Sequence, residues 1–99
     1  MKLFVLLPAY NEEDSLPPLL DALEGSCRRL GLEHEIVIVD DGSTDRTAAV
    51  ATAASGRLPI RLIQHQRNSG LGAAMLTGLR HVTRAGDDGD VLVAMDADN

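Results

Sequence analysis

Short apolar runs alternate with segments of helical periodicity from one end of the chain to the other. The runs cover residues 3–7, 36–39, 60–63 and 91–95, and each has the length and the largely apolar composition of a buried parallel strand. In the segments between them, apolar residues recur every three or four positions, which predicts three helices. The predicted order of elements is therefore β-α-β-α-β-α-β.

Capping residues mark the ends of the predicted helices. Ser15 stands in the N-cap position of the first helix, and Gly31 ends that helix. Ser43 or Thr44 is expected to cap the second helix. The third helix is predicted to turn one apolar face toward the sheet, formed by Leu71, Met75, Leu79 and Val82.

Alternating strands and helices joined by short links form an open parallel sheet with helices on both faces. The predicted strand order is 3-2-1-4, in which the chain reverses direction across the sheet at the first strand. Ligands of such sheets bind beyond the carboxyl ends of the strands at this reversal. The fold class is therefore α/β with a Rossmann-like sheet, and the length of 99 residues suits one domain over residues 1–99.

Composition narrows the class of ligand. Fifteen Asp and Glu against nine Lys and Arg give a net charge of −6, which disfavours nucleic acid and anionic membrane and favours metal ions. With no Trp, one Tyr and one Phe, the chain has no platform for stacking RNA bases. The single Cys27, expected in the core, excludes a disulfide framework and a Cys-based zinc site. His34 and His81 are expected on the solvated surface, and His65 in a structural role.

The start of the chain carries only a superficial likeness to a signal sequence. Its apolar run is interrupted by Pro8 and followed by acidic residues 12–14, without a small-residue cleavage site. No stretch approaches the roughly 18 apolar residues of a membrane span. We therefore expect a cytoplasmic location.

Acidic residues follow three of the predicted strands. The first strand ends in residues 8–12, the second in Asp40 and Asp41, and the fourth in Asp96 and Asp98. In the order 3-2-1-4 these strands are neighbours, so we expect their carboxylates to meet. Crowded carboxylates raise one another's pKa, and a hard divalent cation such as Mg²⁺ removes that cost. Asp96 and Asp98 are the predicted ligands of this cation.

Structural roles compete with a binding role at these strand ends. Asp40 and Asp41 occupy a strand-to-helix turn, where an Asp often serves only to turn or cap the chain, and this alternative weighs more for Asp40. Residues 67–70 precede the third helix, whose N-terminus is a natural anion site, although a plain loop fits equally well.

Four motifs together resemble those of family 2 glycosyltransferases, which have the GT-A fold. They are Pro8-Ala9-Tyr10-Asn11-Glu12, Val39-Asp40-Asp41-Gly42-Ser43-x-Asp45, Arg67-Asn68-x-Gly70-Leu71-Gly72-x-Ala74 and Met95-Asp96-Ala97-Asp98. They follow the order and approximate spacing of that family and cover nearly the whole chain. The third motif is most similar to the branch that transfers mannose or glucose to polyprenyl or dolichyl phosphate.

The resemblance implies a sugar transfer from a UDP- or GDP-sugar to an acceptor such as a polyprenyl phosphate. It implies that the nucleotide sugar is bound by Pro8, Tyr10, Glu12, Val39, Asp41 and Asp96. Asp41 would hydrogen-bond the base. Asp98, with Asp96 beside it, would hold the Mg²⁺ or Mn²⁺ that stabilises the departing nucleoside diphosphate.

The family's pattern implies further chain beyond Asn99, which would form the acceptor site and supply the catalytic Asp. We therefore assign no general base within residues 1–99 and interpret the chain as the donor-binding half, inactive alone, of a protein that is membrane-associated at full length. The fourth strand, apolar and at the sheet edge, predicts self-association through strand pairing.

Two other classes of function stay open on the sequence. One is a non-catalytic module that binds a nucleotide or a metal. The other is a nucleotidyltransferase on a related fold, which is disfavoured because residues 8–14 are acidic rather than rich in glycine and basic residues.

Overall fold

Strands and helices alternate along the chain as the apolar pattern predicts. The computed structural model describes residues 1–97. All the strands are parallel in the order β3-β2-β1-β4, which confirms the predicted α/β class and the order 3-2-1-4. The elements are β1 (Leu3–Ala9), α1 (Leu16–Leu30), β2 (His34–Asp40), α2 (Thr47–Ala54), β3 (Ile60–Gln64), α3 (Leu71–Ala85) and β4 (Val91–Ala94).

β1 continues through Pro8 to Ala9, so the predicted stop before the proline is wrong. The carbonyl of Leu6 accepts a hydrogen bond from the Met95 N–H. The backbone N–H and C=O groups of the even-numbered residues of β1 therefore point toward β4. β4 ends at Ala94, opposite Leu6. Because the nitrogen of Pro8 points past the end of β4, its missing N–H costs the sheet no hydrogen bond.

Two apolar clusters fill the two faces of the sheet. One lies under α1 and α2, where Leu7 and Ile38 pack against Leu16 and Leu20. The other lies under α3 and contains Phe4, Leu6, Val37, Val39 and Ala74. Cys27 is buried as a free thiol, as expected. Within residues 1–97, none of the helices combines the length and apolarity that a membrane crossing requires.

α3 packs on the sheet through small residues, so its predicted inward face is wrong at two of four positions. Leu71 is 63% exposed and Leu79 is 40% exposed, whereas Ala74 and Gly78 are buried. A Cβ at Gly78 would lie 2.2 Å from Leu6 Cδ1. The helix therefore approaches β1 too closely for large side chains at the centre of the contact.

We expect Gly78→Ala to lower the free energy of unfolding by about 1–2 kcal/mol. The new methyl group overpacks against fully buried Leu6, and this cost outweighs the gain in helix propensity. Gly72→Ala, in the same helix with no atom within 4 Å of the new Cβ, is the matched control and should gain about 0.5–1 kcal/mol. Urea unfolding measures both, and equal effects would contradict the close approach of α3 to β1.

His34 and His81 are not on the solvated surface, in contrast to the prediction. His34 Nε2 lies 2.7 Å from Glu24 Oε1, and His81 Nε2 lies 2.7 Å from Glu35 Oε1. The hydrogen bond from His34 is the main cause that holds the pKa of Glu24 below its usual value. Each pair joins a helix to the amino end of β2, opposite the strand ends that carry the motifs.

β4 lies at one edge of the sheet, as predicted. Val91 and Val93 are both more than 40% exposed along it. Unprotected edge strands invite pairing with another chain. Self-association through β4 stays a prediction.

Candidate functional site

Asn11 joins the end of β1 to the loop that follows β2. It has a positive φ of 53°, and its N–H donates to Ser43 Oγ at 2.9 Å. Its Oδ1 accepts from the Thr44 N–H at 2.8 Å and from the Asp45 N–H at 3.3 Å. Asn tolerates this left-handed conformation better than most residues do. Asn11 therefore connects the two strand ends through both its backbone and its side chain.

α2 begins at Thr47 with Arg46 in its N-cap position, so the predicted cap at Ser43 or Thr44 is wrong. The Asp45 carboxylate accepts from the Thr47 N–H at 2.8 Å and from the Glu13 N–H at 3.3 Å. Thr47 Oγ1 in turn accepts from the Glu12 N–H at 2.8 Å. The turn after β2 thus orients the backbone of residues 12–13 as well as starting the helix.

The end of β4 reaches the same region through Ser15. Ser15 Oγ lies 3.0 Å from Glu12 Oε2 and 2.9 Å from the carbonyl of Ala97, which is itself buried. Ser15 is the N-cap residue, but its hydroxyl makes no capping hydrogen bond to α1. It connects the ends of β1 and β4 instead, so the three motif-bearing strand ends do converge as predicted.

The Asp41 carboxylate is buried and ties the end of β2 to the loop before α3. Its Oδ1 accepts from the Ser69 N–H at 2.9 Å and lies 2.8 Å from His65 Nδ1, and its Oδ2 accepts from the Gly70 N–H at 2.9 Å. Burial raises the pKa of Asp41, but the hydrogen bonds from His65, Ser69 and Gly70 together outweigh it, so the pKa lies below its usual value.

The anion at the N-terminus of α3 is therefore this internal carboxylate. The sequence indicated an anion site at residues 67–70, but it gave no sign that Asp41 would fill it. The N–H groups of Ser69 and Gly70 lie just before the helix, where free donors and the helix dipole both favour a negative charge.

Asp40 has the structural role that the sequence favoured for it. It is 3% exposed, and its Oδ1 accepts from the Ser43 N–H at 3.1 Å, which closes the turn after β2. Both carboxylates of the pair thus face backbone N–H groups. The expected crowding of carboxylates is wrong for Asp40 and Asp41.

A cleft of about 160 Å³ opens between the end of β1 and the start of α3. Its lining includes Pro8 and Tyr10 on one side, Asn68 and Leu71 on the other, and Asp41. A wider cleft of about 300 Å³ shares Pro8 and Leu71 with it and extends to Met95 and Asp96 beside β4. The two clefts adjoin at the position where sheets of this topology bind ligands.

The remaining predicted site residues, Val39, Asp96 and Asp98, differ in their exposure and in whether the structure describes them. Val39 is fully buried under α3 and offers no side-chain surface to a ligand. Asp96 is exposed at the edge of the wider cleft. Asp98 lies outside the described residues. Within residues 1–97, no group of three or more His, Cys, Asp or Glu side chains is arranged to hold a metal ion.

His65 is the residue at this site whose part the sequence did not reveal. A structural role was expected for it, but not a contact to Asp41, which lies 24 positions away in the chain. The signal that was available is its place directly after β3, which is the neighbour of β2 in the sheet.

Comparison with known proteins agrees with this geometry. The family model described as "Glycosyl transferase family 2" matches residues 4–99. The undecaprenyl-phosphate 4-deoxy-4-formamido-L-arabinose transferase of Klebsiella pneumoniae subsp. pneumoniae is 39% identical over 98% of the chain. The dolichol-phosphate mannosyltransferase of Pyrococcus furiosus is 38% identical over 99% of the chain. The chain spans only 29% and 26% of the lengths of these two relatives.

A solved structure with the same fold contains both a nucleotide sugar and a metal. It is the mannosyltransferase PcManGT from Pyrobaculum calidifontis in complex with GDP-Man and Mn²⁺. It aligns with a TM-score of 0.79 and 29% identity, over 98% of this chain and 27% of the mannosyltransferase.

Proposed function

Because the chain belongs to glycosyltransferase family 2, we propose that it forms the donor-binding part of an enzyme that transfers a sugar to a polyprenyl phosphate. The relatives named for undecaprenyl-phosphate and dolichol-phosphate transfer support this acceptor class. The mannosyltransferase that holds GDP-Man and Mn²⁺ supports a nucleotide-sugar donor, here a UDP- or GDP-sugar. Because such an acceptor is a lipid, we also propose that the whole protein acts at a membrane surface.

The observation that carries the proposal is the cleft between β1 and α3. Small-molecule sites combine apolar lining with a few well-placed polar groups. Here Pro8 and Leu71 are apolar residues of the lining, and Tyr10, Asn68 and Asp41 are lining residues whose side chains carry polar groups. Such a cleft suits a nucleobase, which is flat and apolar on its faces and polar along its edge.

Asp41 is proposed to select the base through the acceptor position that it keeps free. A carboxylate has about four lone-pair sites, and in the part of the chain that the structure describes the contacts of Asp41 use two at Oδ1 and one at Oδ2. The remaining site at Oδ2 can accept one ring N–H, which uracil and guanine both carry. Glu12, which follows the end of β1, is proposed to support the same end of the nucleotide.

The transfer itself forms one bond and breaks one. A phosphate oxygen of the acceptor bonds to the anomeric carbon, and the bond from that carbon to the diphosphate breaks with its electron pair on the departing oxygen. A phosphate monoester loses its second proton near pH 6, so this nucleophile needs no general base.

Asp96 and Asp98 are proposed to hold Mg²⁺ or Mn²⁺ beside the diphosphate, because carboxylate oxygens suit a hard cation and the Asp96 carboxylate is exposed at the wider cleft. When bound, the cation neutralises the diphosphate charge.

Calorimetric titration of the protein tests the donor class. In Mn²⁺ we expect a UDP- or GDP-sugar to bind with a dissociation constant of roughly 1 μM to 1 mM, the range typical of enzyme substrates. UMP and GMP are the matched control ligands and should bind more weakly, because they lack the diphosphate. Absence of binding by folded protein in Mn²⁺ would overturn the proposal.

We expect Asp98→Ala to weaken nucleoside diphosphate binding by about tenfold in Mn²⁺, the size of effect seen when support of a bound metal is lost. Excess EDTA should weaken binding by the wild-type protein to the same degree. Asp88 is an exposed acidic residue before the amino end of β4. Asp88→Ala is therefore the control and should bind the nucleoside diphosphate with wild-type affinity. Affinity that EDTA leaves unchanged would show that the metal assignment is wrong.

A further inference from the structure

His65 contacts Asp41, a lining residue of the cleft between β1 and α3, but is not itself among the residues that line this cleft. Its Nδ1 lies 2.8 Å from Asp41 Oδ1, and its Nε2 lies 2.7 Å from Thr77 Oγ1, two turns into α3. The imidazole is 17% exposed. Its backbone N–H donates to the carbonyl of Asp40 at 2.9 Å, which ties the backbone of His65 to the end of β2.

The partners of His65 determine which ring nitrogen carries the proton. The ionised Asp41 carboxylate can only accept, so His65 Nδ1 must donate to it. In the neutral form of the ring, Nε2 is then an acceptor for the Thr77 hydroxyl. This arrangement leaves the Asp41 oxygens oriented toward the N–H groups of Ser69 and Gly70, which each lie 2.9 Å away.

We propose that His65 is a positioning residue for the donor nucleotide: it holds the Asp41 carboxylate in the orientation that fixes residues 69–70 and leaves one Oδ2 site for the base. This inference rests on the proposed function. Gly70 lines the cleft together with Asp41, so rotation of the carboxylate would move the base acceptor and release the adjacent loop at the same time.

Two substitutions separate the two nitrogens of the ring. The amide nitrogen of His65→Asn can occupy the place of Nδ1 and still donate to Asp41. The longer His65→Gln places its amide near Nε2, within reach of Thr77 but not of the carboxylate. We expect His65→Gln to bind UDP- or GDP-sugar about fivefold to tenfold more weakly, which corresponds to the net contribution of one ordinary hydrogen bond. His65→Asn should stay within about twofold of wild type.

His81→Ala is the matched control for loss of stability. His81 also joins α3 to β2, but through Glu35 at the opposite end of the strand. We expect it to lower the melting temperature without changing nucleotide affinity. Equal affinity in wild type and His65→Gln, or equal weakening in His65→Gln and His81→Ala, would overturn the positioning role.

Amide hydrogen exchange tests the same role without any ligand. His65→Gln should increase the exchange rates of the Ser69 and Gly70 N–H groups by about fivefold, whereas His65→Asn and His81→Ala should not. If wild type binds no nucleotide, the proposed function fails, and unchanged exchange in His65→Gln separately refutes the hold on the loop. The ¹⁵N shifts of His65 should show a protonated Nδ1, and a neutral ring protonated at Nε2 would contradict the inference.

Discussion

Gly42→Ala is expected to lower the free energy of unfolding by about 2–5 kcal/mol. Gly42 has a φ of +72°, and its Cβ would lie 2.3 Å from the carbonyl carbon of Arg67 and 2.4 Å from the nitrogen of Asn68. The left-handed conformation costs an alanine about 1–2 kcal/mol, and overpacking adds about 1–3 kcal/mol. Since the clashing atoms are backbone, the loop itself has to move. Urea unfolding measures the loss.

Gly31→Ala is the matched control for this prediction. Gly31 ends α1 with a φ of +67°, but its Cβ would have no atom within 4 Å. The conformational cost should therefore appear alone, at about 1–2 kcal/mol. Equal losses for both variants would show that the loop at residues 67–68 does not pack against Gly42.

Gly42→Ala should also weaken nucleotide binding. Asn68 lines the cleft, and the clash at Gly42 pushes directly on its backbone. We expect Gly42→Ala to lose affinity for a UDP- or GDP-sugar in conditions where it remains folded, whereas Gly31→Ala should not. Calorimetry of both variants at a temperature well below their melting points distinguishes these outcomes.

The strand order could be predicted because it depends on local pattern and on chain connectivity. Apolar runs such as residues 36–39 predict buried strands, and the helices between them force parallel pairing. The inward face of α3 could not be predicted in the same way. Periodicity selects large apolar residues such as Leu79, but the close approach of the helix to Leu6 places Gly78 at the contact.

The candidate site was also predicted only in part. The meeting of the three strand ends follows from the topology and could be predicted. The direction in which each carboxylate points could not be predicted, because it depends on hydrogen-bond partners that are distant in sequence. Asp41 binds N–H groups of Ser69 and Gly70, 28 and 29 positions away. The prediction for His34 and His81 is wrong for a related reason: the polarity of a histidine predicts exposure only where no partly buried carboxylate faces it.

Asp41→Asn is expected to lower the free energy of unfolding by about 2–3 kcal/mol as well as weakening nucleotide binding. His65 Nδ1 and the N–H groups of Ser69 and Gly70 all point at the carboxylate. An amide has one oxygen, so its NH₂ group must face at least one of these donors. A buried donor left without an acceptor costs about 1–3 kcal/mol, and more when a charged partner is lost.

Asp40→Asn is the control, because within residues 1–97 one oxygen of Asp40 accepts a backbone hydrogen bond, from Ser43. The amide oxygen can take that position, so we expect a loss below about 1 kcal/mol and unchanged nucleotide affinity. Urea unfolding and calorimetry of both variants test this division. Similar losses of stability in the two variants would contradict the contacts of Asp41 with the loop before α3.

The stability difference between wild type and Asp41→Asn should depend on pH with a definite sign. The pKa of Asp41 in the folded protein lies below its ordinary value of 3.8, so the ionised carboxylate stabilises the fold above pH 3.8. As the pH falls below 3.8 and through the folded-state pKa, the carboxyl becomes protonated and this contribution is lost. Urea unfolding between about pH 5 and about pH 2.5 should show the two proteins converging at the acidic end, and a difference that widens on acidification would mean that Asp41 is not held as an anion by its three donors.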